Sequence, residues 1–373
     1  MLPWQTDPEN YATLFAKKCS DVEKDMLTLR LPPAERFASP VESYRVRAEF
    51  RIWHDGDDID YVMFDPGHPR TPVVIKDFAP ALAPIRTLMP QLLAFLKSRP
   101  VLRRKLFQAE FMATTTGELL LTLIYHRPLD DAWEDEARAL AREFDVSLVG
   151  RSRKQKRIIG RDFVVDAFTV DGRCYRYRQY EQSFVQPNAP INEAMLTWAW
   201  QQGASCPGDL LELYCGNGNF TLPLASRFPA VIATELSKSG TRAALENIRD
   251  NGVDNVQVIR LSAEEVSEAM SGVREFRRLA TLPKPLGDYD LRTVFVDPPR
   301  AGLDPGTLDC VRDFEAILYV SCNPKTLKSN IEALTDSHVV THYALFDQFP
   351  YTPHIESAVV LRRRRLQRPV LVF

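Results

Sequence analysis

The sequence predicts an α/β protein: a doubly wound, mostly parallel sheet from about Asp209 onward, preceded by an α+β domain. Three observations predict it. From Asp209, short apolar runs alternate with amphipathic helical stretches, the pattern of a parallel sheet covered on both faces. Between Val41 and about Tyr180, strand-like and helix-like stretches mix without that alternation. The 373 residues also exceed the roughly 100 to 200 of one ordinary domain. Two units are therefore expected, residues 1–180 and 181–373.

In the first unit, Tyr44 to Trp53, Tyr61 to Phe64, Phe107 to Thr115 and Leu119 to Tyr125 read as strands, rich in aromatic and branched residues. The turn Trp53 to Asp60 (WHDGDDID) holds an Asp-Gly pair and reads as a hairpin. Ile85 to Leu96 and Asp130 to Phe144 have helical spacing. In the second unit, strands are expected at Leu210 to Tyr214, Val231 to Thr234, Val256 to Ile259, Thr293 to Val296 and Ala316 to Val320. Helices are expected at Lys238 to Asp250, Ala263 to Met270 and Pro324 to Leu334. Val339 to Phe346 and Ile355 to Leu361 close the pattern as antiparallel edge strands. The 27 prolines punctuate these elements, and neither an internal repeat nor a low-complexity tract interrupts them.

Apolar residues make up 45% of the chain, and 47 basic against 49 acidic side chains leave a net charge of −2. That balance excludes a uniformly basic nucleic-acid coat and an acidic disordered chain, but not a local basic patch. Met1 to Ala12 lack the basic-then-apolar order of a secretory signal, and no run of about 18 apolar residues could span a bilayer. The cytoplasm is the expected location, with no membrane contact. The six cysteines, Cys19, Cys174, Cys206, Cys215, Cys310 and Cys322, are scattered without the close pairs of zinc or iron–sulfur sites, so reduced thiols and no metal are expected.

Leu210 to Leu222 (LLELYCGNGNFTL) is an apolar strand turning through Gly216 and Gly218 into a helix, where the backbone can approach a ligand closely. Glu235 follows Gly216 by nineteen residues, directly after the next strand, where a carboxylate can accept hydrogen bonds from both ribose hydroxyls. A dinucleotide and S-adenosylmethionine share this geometry. No third glycine opens the helix to a pyrophosphate, since Phe220 and Thr221 follow Asn219, which favours S-adenosylmethionine.

The strand Thr293 to Val296 ends in Asp297-Pro298-Pro299-Arg300, and carboxyl ends of parallel strands are where ligands sit. Arg300 replaces the aromatic expected where an exocyclic amine is methylated. A proline-stiffened loop with Asp297 as a cap is the bland alternative. The next strand ends in Ser321-Cys322-Asn323-Pro324, in which Asn323 suits an N-cap and Pro324 the first helical position. Cys322 is then expected at a helix start, whose positive end favours the reactive thiolate. Phe346 to Ser357 (FDQFPYTPHIES) is a proline-broken aromatic loop leading to Glu356. These groups suit one chemistry. Uracil C5 is a poor nucleophile until a thiolate adds at C6, and after methylation a base must remove the C5 proton so that the cysteine can leave.

LLELYCGNGNF, FVDPPRAGLD, ILYVSCNPKTL and FDQFPYTPHIES, together with Ser43 to Asp58 (SYRVRAEFRIWHDGDD) and Ser183 to Asn188 (SFVQPN), resemble the bacterial tRNA (uracil-5-)-methyltransferase family over almost the whole chain. The resemblance implies a class I, Rossmann-like S-adenosylmethionine-dependent methyltransferase domain with an amino-terminal α+β RNA-binding domain. It implies Cys322 as nucleophile and Glu356 as proton acceptor, with Gln186, Tyr214, Asn219, Glu235 and Asp297 binding S-adenosylmethionine. The implied product is 5-methyluridine at position 54 in the T-loop of tRNA, with T-loop-like RNAs such as tmRNA within reach and ribosomal RNA as the alternative substrate. No metal, iron–sulfur cluster or protein partner is implied.

Arg151 to Arg178 contains nine basic residues, among them Arg151, Arg153 and Lys154, against three acidic ones, which suits phosphate binding. Lys97 to Lys105 is a second basic cluster, and Arg362 to Arg365 could touch RNA or solubilise the end. A base in a folded T-loop must be flipped out to react, and an aromatic is expected to hold or replace it; Phe107 is the candidate.

Overall fold

The structure, a computed structural model, describes residues 4–65 and 67–364. Among these residues the chain opens with helix α1 (Tyr11–Asp25) and the short strand β1 (Glu35–Phe37). A seven-stranded sheet follows: β2 (Arg47–Asp55), β3 (Asp58–Asp65), β4 (His68–Val74), β5 (Leu106–Ala113), β6 (Leu119–Tyr125), β7 (Ser147–Ser152) and β8 (Gln155–Ile159). Its order is β4-β3-β2-β5-β6-β7-β8. Helices α2 (Ala83–Lys97), α3 (Pro100–Arg103) and α4 (Asp131–Glu143) accompany it. Its core gathers Phe50, Tyr61, Phe111 and Trp133, the last fully buried. A fully buried side chain of that kind contributes on the order of 1.5–3 kcal/mol.

A hairpin, β9 (Phe163–Val170) and β10 (Arg173–Tyr180), leads to α5 (Ala189–Gly203). The remaining elements are β11 (Asp209–Leu213), α6 (Thr221–Ala225), β12 (Val231–Thr234), α7 (Lys238–Asp250), β13 (Val256–Ile259), α8 (Ala263–Met270), β14 (Leu291–Val296), α9 (Pro305–Val311), β15 (Ala316–Ser321), α10 (Pro324–Leu334), β16 (His338–Phe346) and β17 (Glu356–Arg363). The helices begin where side-chain caps permit. Ser237 caps α7, Ser262 and Glu265 form a capping box on α8, and Asn323 caps α10 ahead of Pro324.

The second sheet runs β1-β16-β17-β15-β14-β11-β12-β13. β15, β14, β11, β12 and β13 are parallel, and β11 lies between its successor β12 and the later β14. The strand order therefore reverses beside β11, the crevice where open α/β sheets bind ligands.

Four features differ from the sequence expectation. β17 is antiparallel as expected but is not at an edge: it lies between β15 and β16. Its run Ser357 to Leu361 is buried on both faces, which an edge position would not require. The edge beyond β16 is β1, paired parallel through Glu35–Ala344, Arg36–Leu345 and Phe37–Phe346. Helix α1 also packs with this sheet, its Cys19 and Val22 sharing an apolar cluster with Leu211, Val294 and Ile317. On the opposite face, Phe168, Tyr175 and Tyr177 of the β9–β10 hairpin share a cluster with Leu210, Phe220 and Leu318.

Candidate active site

A cavity of about 570 Å³ opens at the carboxyl ends of β11, β12, β14 and β15. That is within the usual range for small-molecule sites. It brings together all seven residues expected to act on cofactor or uracil: Gln186, Tyr214, Asn219, Glu235, Asp297, Cys322 and Glu356.

One wall is the loop after β11. Tyr214, Gly216 and Gly218 all have positive φ (62°, 58° and 83°), so the backbone curls tightly there. A side chain at Gly216 would meet no atom within 4 Å, so its Cα borders open space into which a ligand can press. Glu235 closes the turn. Its Oε2 accepts from Gly216 N at 3.1 Å and its Oε1 from Ser237 N at 2.6 Å, leaving lone pairs for ribose hydroxyls. Gly240 packs so closely that a Cβ would lie 2.9 Å from Glu235 Cγ. Asn219 exchanges two hydrogen bonds with Asn192, at 2.8 and 3.1 Å, and its carbonyl accepts from Tyr177 Oη at 3.0 Å. Asn247 Nδ2 donates to Asn217 O at 2.9 Å. A preformed, glycine-lined cradle with a carboxylate at its rim fits an adenosyl group, and Gln186, Tyr214, Asn219, Glu235 and Asp297 are the residues placed to hold one.

The other wall carries Cys322, Glu356 and Asp297. Cys322 follows β15, Glu356 opens β17 at 4% exposure, and Asp297 follows β14. Asn323 accepts from Lys325 N at 3.2 Å as the cap of α10 and donates through Nδ2 to Arg300 O at 3.0 Å, tying the two strand-end loops together. Burial pushes the Asp297 carboxyl up to about 7. Burial, then the charge of Asp297, pushes that of Glu356 up to about 8.

The expected acidification of Cys322 is not found. Its thiol is pushed up to about 11, first by burial and then by the Glu356 and Asp297 carboxyls, against the opposing pull of Arg300. The helix start is present, but desolvation and two neighbouring acids outweigh it.

Sequence reasoning missed several groups here. Asn192 lies inside α5 and Gln179 inside β10, where no local pattern marks them. Phe184, 76% exposed and lining the cavity, lies in SFVQPN beside Val185, where an aromatic reads as an ordinary core residue.

The RNA candidates separate. Phe107 is stacked between Arg51, whose guanidinium carbon lies 3.5 Å from the ring centroid, and His126, at 4.1 Å between centroids. Arg153 and Lys154 are exposed at the β7–β8 turn. Arg151 instead holds the buried Glu181 with two bonds of 2.5 Å. Lys156, Arg157, Arg161 and Arg178 are likewise in ion pairs. So are Lys97, Arg99 and Arg103. At the other end, Arg362, Arg363 and Arg364 bond Ser205 Oγ, Asp313 O and Thr335 O, and Arg365 lies outside the described residues.

A doubly wound sheet with a glycine-lined cradle at its switch point, and a cysteine and two carboxyls on the opposite wall of the same cavity, fits a class: the Rossmann-like, S-adenosylmethionine-dependent methyltransferases. Within that class the chain belongs to the tRNA (Uracil-5-)-methyltransferase family, whose sequence profile matches residues 10–364. It is 52% identical over 358 residues to the tRNA/tmRNA (uracil-C(5))-methyltransferase of Ectopseudomonas mendocina, covering 96% of this chain and 98% of that one. The protein of that name from Pseudoalteromonas atlantica is 47% identical over 368 residues, 98% of this chain and all of the relative. Among solved structures, the Pyrococcus abyssi tRNA (uracil-54, C5)-methyltransferase in complex with S-adenosyl-L-homocysteine has the same fold. Its TM-score is 0.73 at 21% identity, covering 94% of this chain and 83% of that one. Among the described residues no helix is long and apolar enough to cross a membrane.

Proposed function

We propose that the protein methylates C5 of the uracil at position 54 in the T-loop of tRNA, forming 5-methyluridine, and accepts tRNA-like T-loops such as that of tmRNA. The carrying observation is that Cys322, Glu356 and Asp297 line the same cavity as the glycine turn and Glu235. S-adenosylmethionine, when bound, supplies the methyl group as an electrophile. Cys322 gives up its thiol proton to solvent as Sγ forms a bond to C6 of the flipped uracil, and the C5–C6 π electrons move toward the C4 carbonyl, leaving an enolate whose C5 is nucleophilic. Once C5 carries the methyl group, Glu356 takes the C5 proton, the C5–C6 double bond re-forms and the sulfur leaves with its electron pair. Gln186, Tyr214, Asn219, Glu235 and Asp297 hold the cofactor.

The seven-stranded unit within residues 1–180 is the RNA-binding part of this reading, the remainder carrying the chemistry in the cytoplasm. There exposed Arg153 and Lys154 meet phosphates, whereas Phe107, its ring covered by Arg51 and His126, has only its edge to offer an unstacked base. Arg151 serves this reading indirectly, by holding Glu181 at the start of the cavity-lining 182–186 segment.

Incubation with methyl-labelled S-adenosylmethionine and unmodified tRNA should place label as 5-methyluridine in the T-loop; label confined to ribosomal RNA would move the substrate. Glu356→Gln should accumulate a covalent protein–RNA adduct on denaturing gels and Cys322→Ala should form none. Equal adduct in both variants would sink these roles.

A further inference from the structure

Gln348 stands beside the cavity without lining it. It is 1% exposed, lies two residues past β16, and its Nε2 donates to Gln186 Oε1 at 2.6 Å. Its backbone is held on both sides. Gln348 N donates to Phe346 O at 2.9 Å, and Asp347 N donates to Phe37 O at 3.0 Å. The Asp347 carboxylate accepts from Tyr11 Oη at 2.8 Å and from Lys18. The donor aimed at Gln186 therefore comes from a fixed support.

A glutamine amide can accept with its oxygen or donate with its nitrogen, and the two ends are chemically opposite. With Oε1 of Gln186 engaged by Gln348, the atom left for the cavity is Nε2. Turning both amides over would preserve the bond between them but exchange the unpaired atom. As the pair stands, Gln348 Oε1 is the buried atom without a partner among the described residues. After the exchange a bare N–H donor would be left there, which proteins tolerate less than a bare carbonyl.

We infer that Gln348 is a positioning residue that fixes the amide of Gln186, so that the cavity wall there donates a hydrogen bond to an acceptor oxygen of the cofactor. The inference rests on the reading of Gln186 as a cofactor-binding residue.

The test is direct binding of S-adenosyl-L-homocysteine by calorimetry to the wild type, Gln348→Glu, Gln348→Met and Gln186→Ala, with thermal unfolding to confirm that each is folded. An ionised glutamate at 348 keeps the shape but has no hydrogen to give, and turns Gln186 Nε2 toward itself. At about pH 9.5, above the value of about 8 to which burial lifts the comparably buried Glu356, Gln348→Glu should bind roughly tenfold more weakly than the wild type, the scale of one misdirected hydrogen bond. Near pH 5 the protonated carboxyl donates again, so its affinity relative to wild type should recover, as a purely structural defect would not. Gln348→Met should bind about threefold more weakly at every pH. Wild-type affinity in Gln348→Glu at about pH 9.5, or a relative loss that ignores pH, overturns the inference while leaving a weakened Gln186→Ala, and the reading of Gln186, intact. Wild-type affinity in Gln186→Ala sinks that reading, and the inference with it. Should Gln348→Glu not fold, the Met variant decides, and wild-type binding by it overturns the inference.

Discussion

Glu356 must be ionised to take a proton, yet in the ligand-free cavity burial and Asp297 keep it protonated up to about 8. A cationic ligand against the two carboxyls favours their charged forms, and a sulfonium carries that charge where a thioether does not. Binding of S-adenosylmethionine at about pH 7 should therefore release protons, while S-adenosyl-L-homocysteine should release far fewer. Calorimetry in buffers of different ionisation enthalpy reads the difference, which should shrink in Asp297→Asn; equal release for both ligands would remove the argument. The stability sign follows from the same shifts. Folded Glu356 and Asp297 titrate near 8 and 7 against ordinary values of 4.5 and 3.8, so the folded state holds protons that the unfolded chain releases. Their contribution is fully present at low pH and is lost as pH rises from about 4 to about 8. Glu356→Gln should accordingly raise the melting temperature of the ligand-free protein, more at about pH 8 than at about pH 5. The upward shift of Cys322 belongs to this scale too. Its helix start was legible in SCNP, but the acids that oppose ionisation come from strands distant in sequence.

Two elements brace the cavity from outside. Helix α1 sends Lys18, only 9% exposed, to Asp347 and to the carbonyls of Phe349 and His354, both at 3.0 Å, so it clasps the loop that ends at Glu356. Removing the cation with Lys18→Met leaves Asp347 buried without it and should cost about 3 kcal/mol in urea unfolding; an unchanged midpoint would show the clasp to be idle. The β9–β10 hairpin and α7 brace the glycine turn through Tyr177 and Asn247. Asn247→Ala should raise the KM for S-adenosylmethionine a few-fold with kcat nearly kept, since one net hydrogen bond of about 1 kcal/mol supports the turn. The helices at 238–250, 263–270 and 324–334 were legible because their caps and apolar spacing are local. α1 and β1 were not, because what fixes them is apolar contact and parallel pairing with segments at the other end of the chain. The hairpin was read only as a basic stretch. Its inward Phe168, Tyr175 and Tyr177 carry its structural role, while several of its cations and those just before it are spent on ion pairs.

Across the whole molecule, a net charge of −2 means that RNA must be met by local cation clusters rather than by an overall field. Replacing Arg153 and Lys154 together by Ala should weaken tRNA binding and lower the log–log salt slope by roughly one to two. The same replacement at Arg151 should cost stability instead, by leaving the buried Glu181 with only the longer 3.5 Å contact to Lys156. A salt slope unchanged in the first variant would move the RNA surface elsewhere. The gathering of seven site residues into one cavity was legible because each sits in a short local motif, six at or near a strand end and Gln186 just before α5. The ion-pair assignments were not, because partners such as Glu134 and Glu246 carry no mark of their spatial neighbours. The parallel pairing of β1 with β16 joins residues about 300 positions apart. During synthesis at about 5–20 residues per second, α1 and β1 would leave the ribosome roughly 15–60 s before their partner strand exists. Until β11, β14 and β15 follow, Cys19 and Val22 have no sheet to pack against, and throughout the interval the loop carrying Glu356 has not been made. The proposed site is thus completed by the last pairings to form, so a polypeptide that stops short of β16 lacks both the partner of β1 and Glu356.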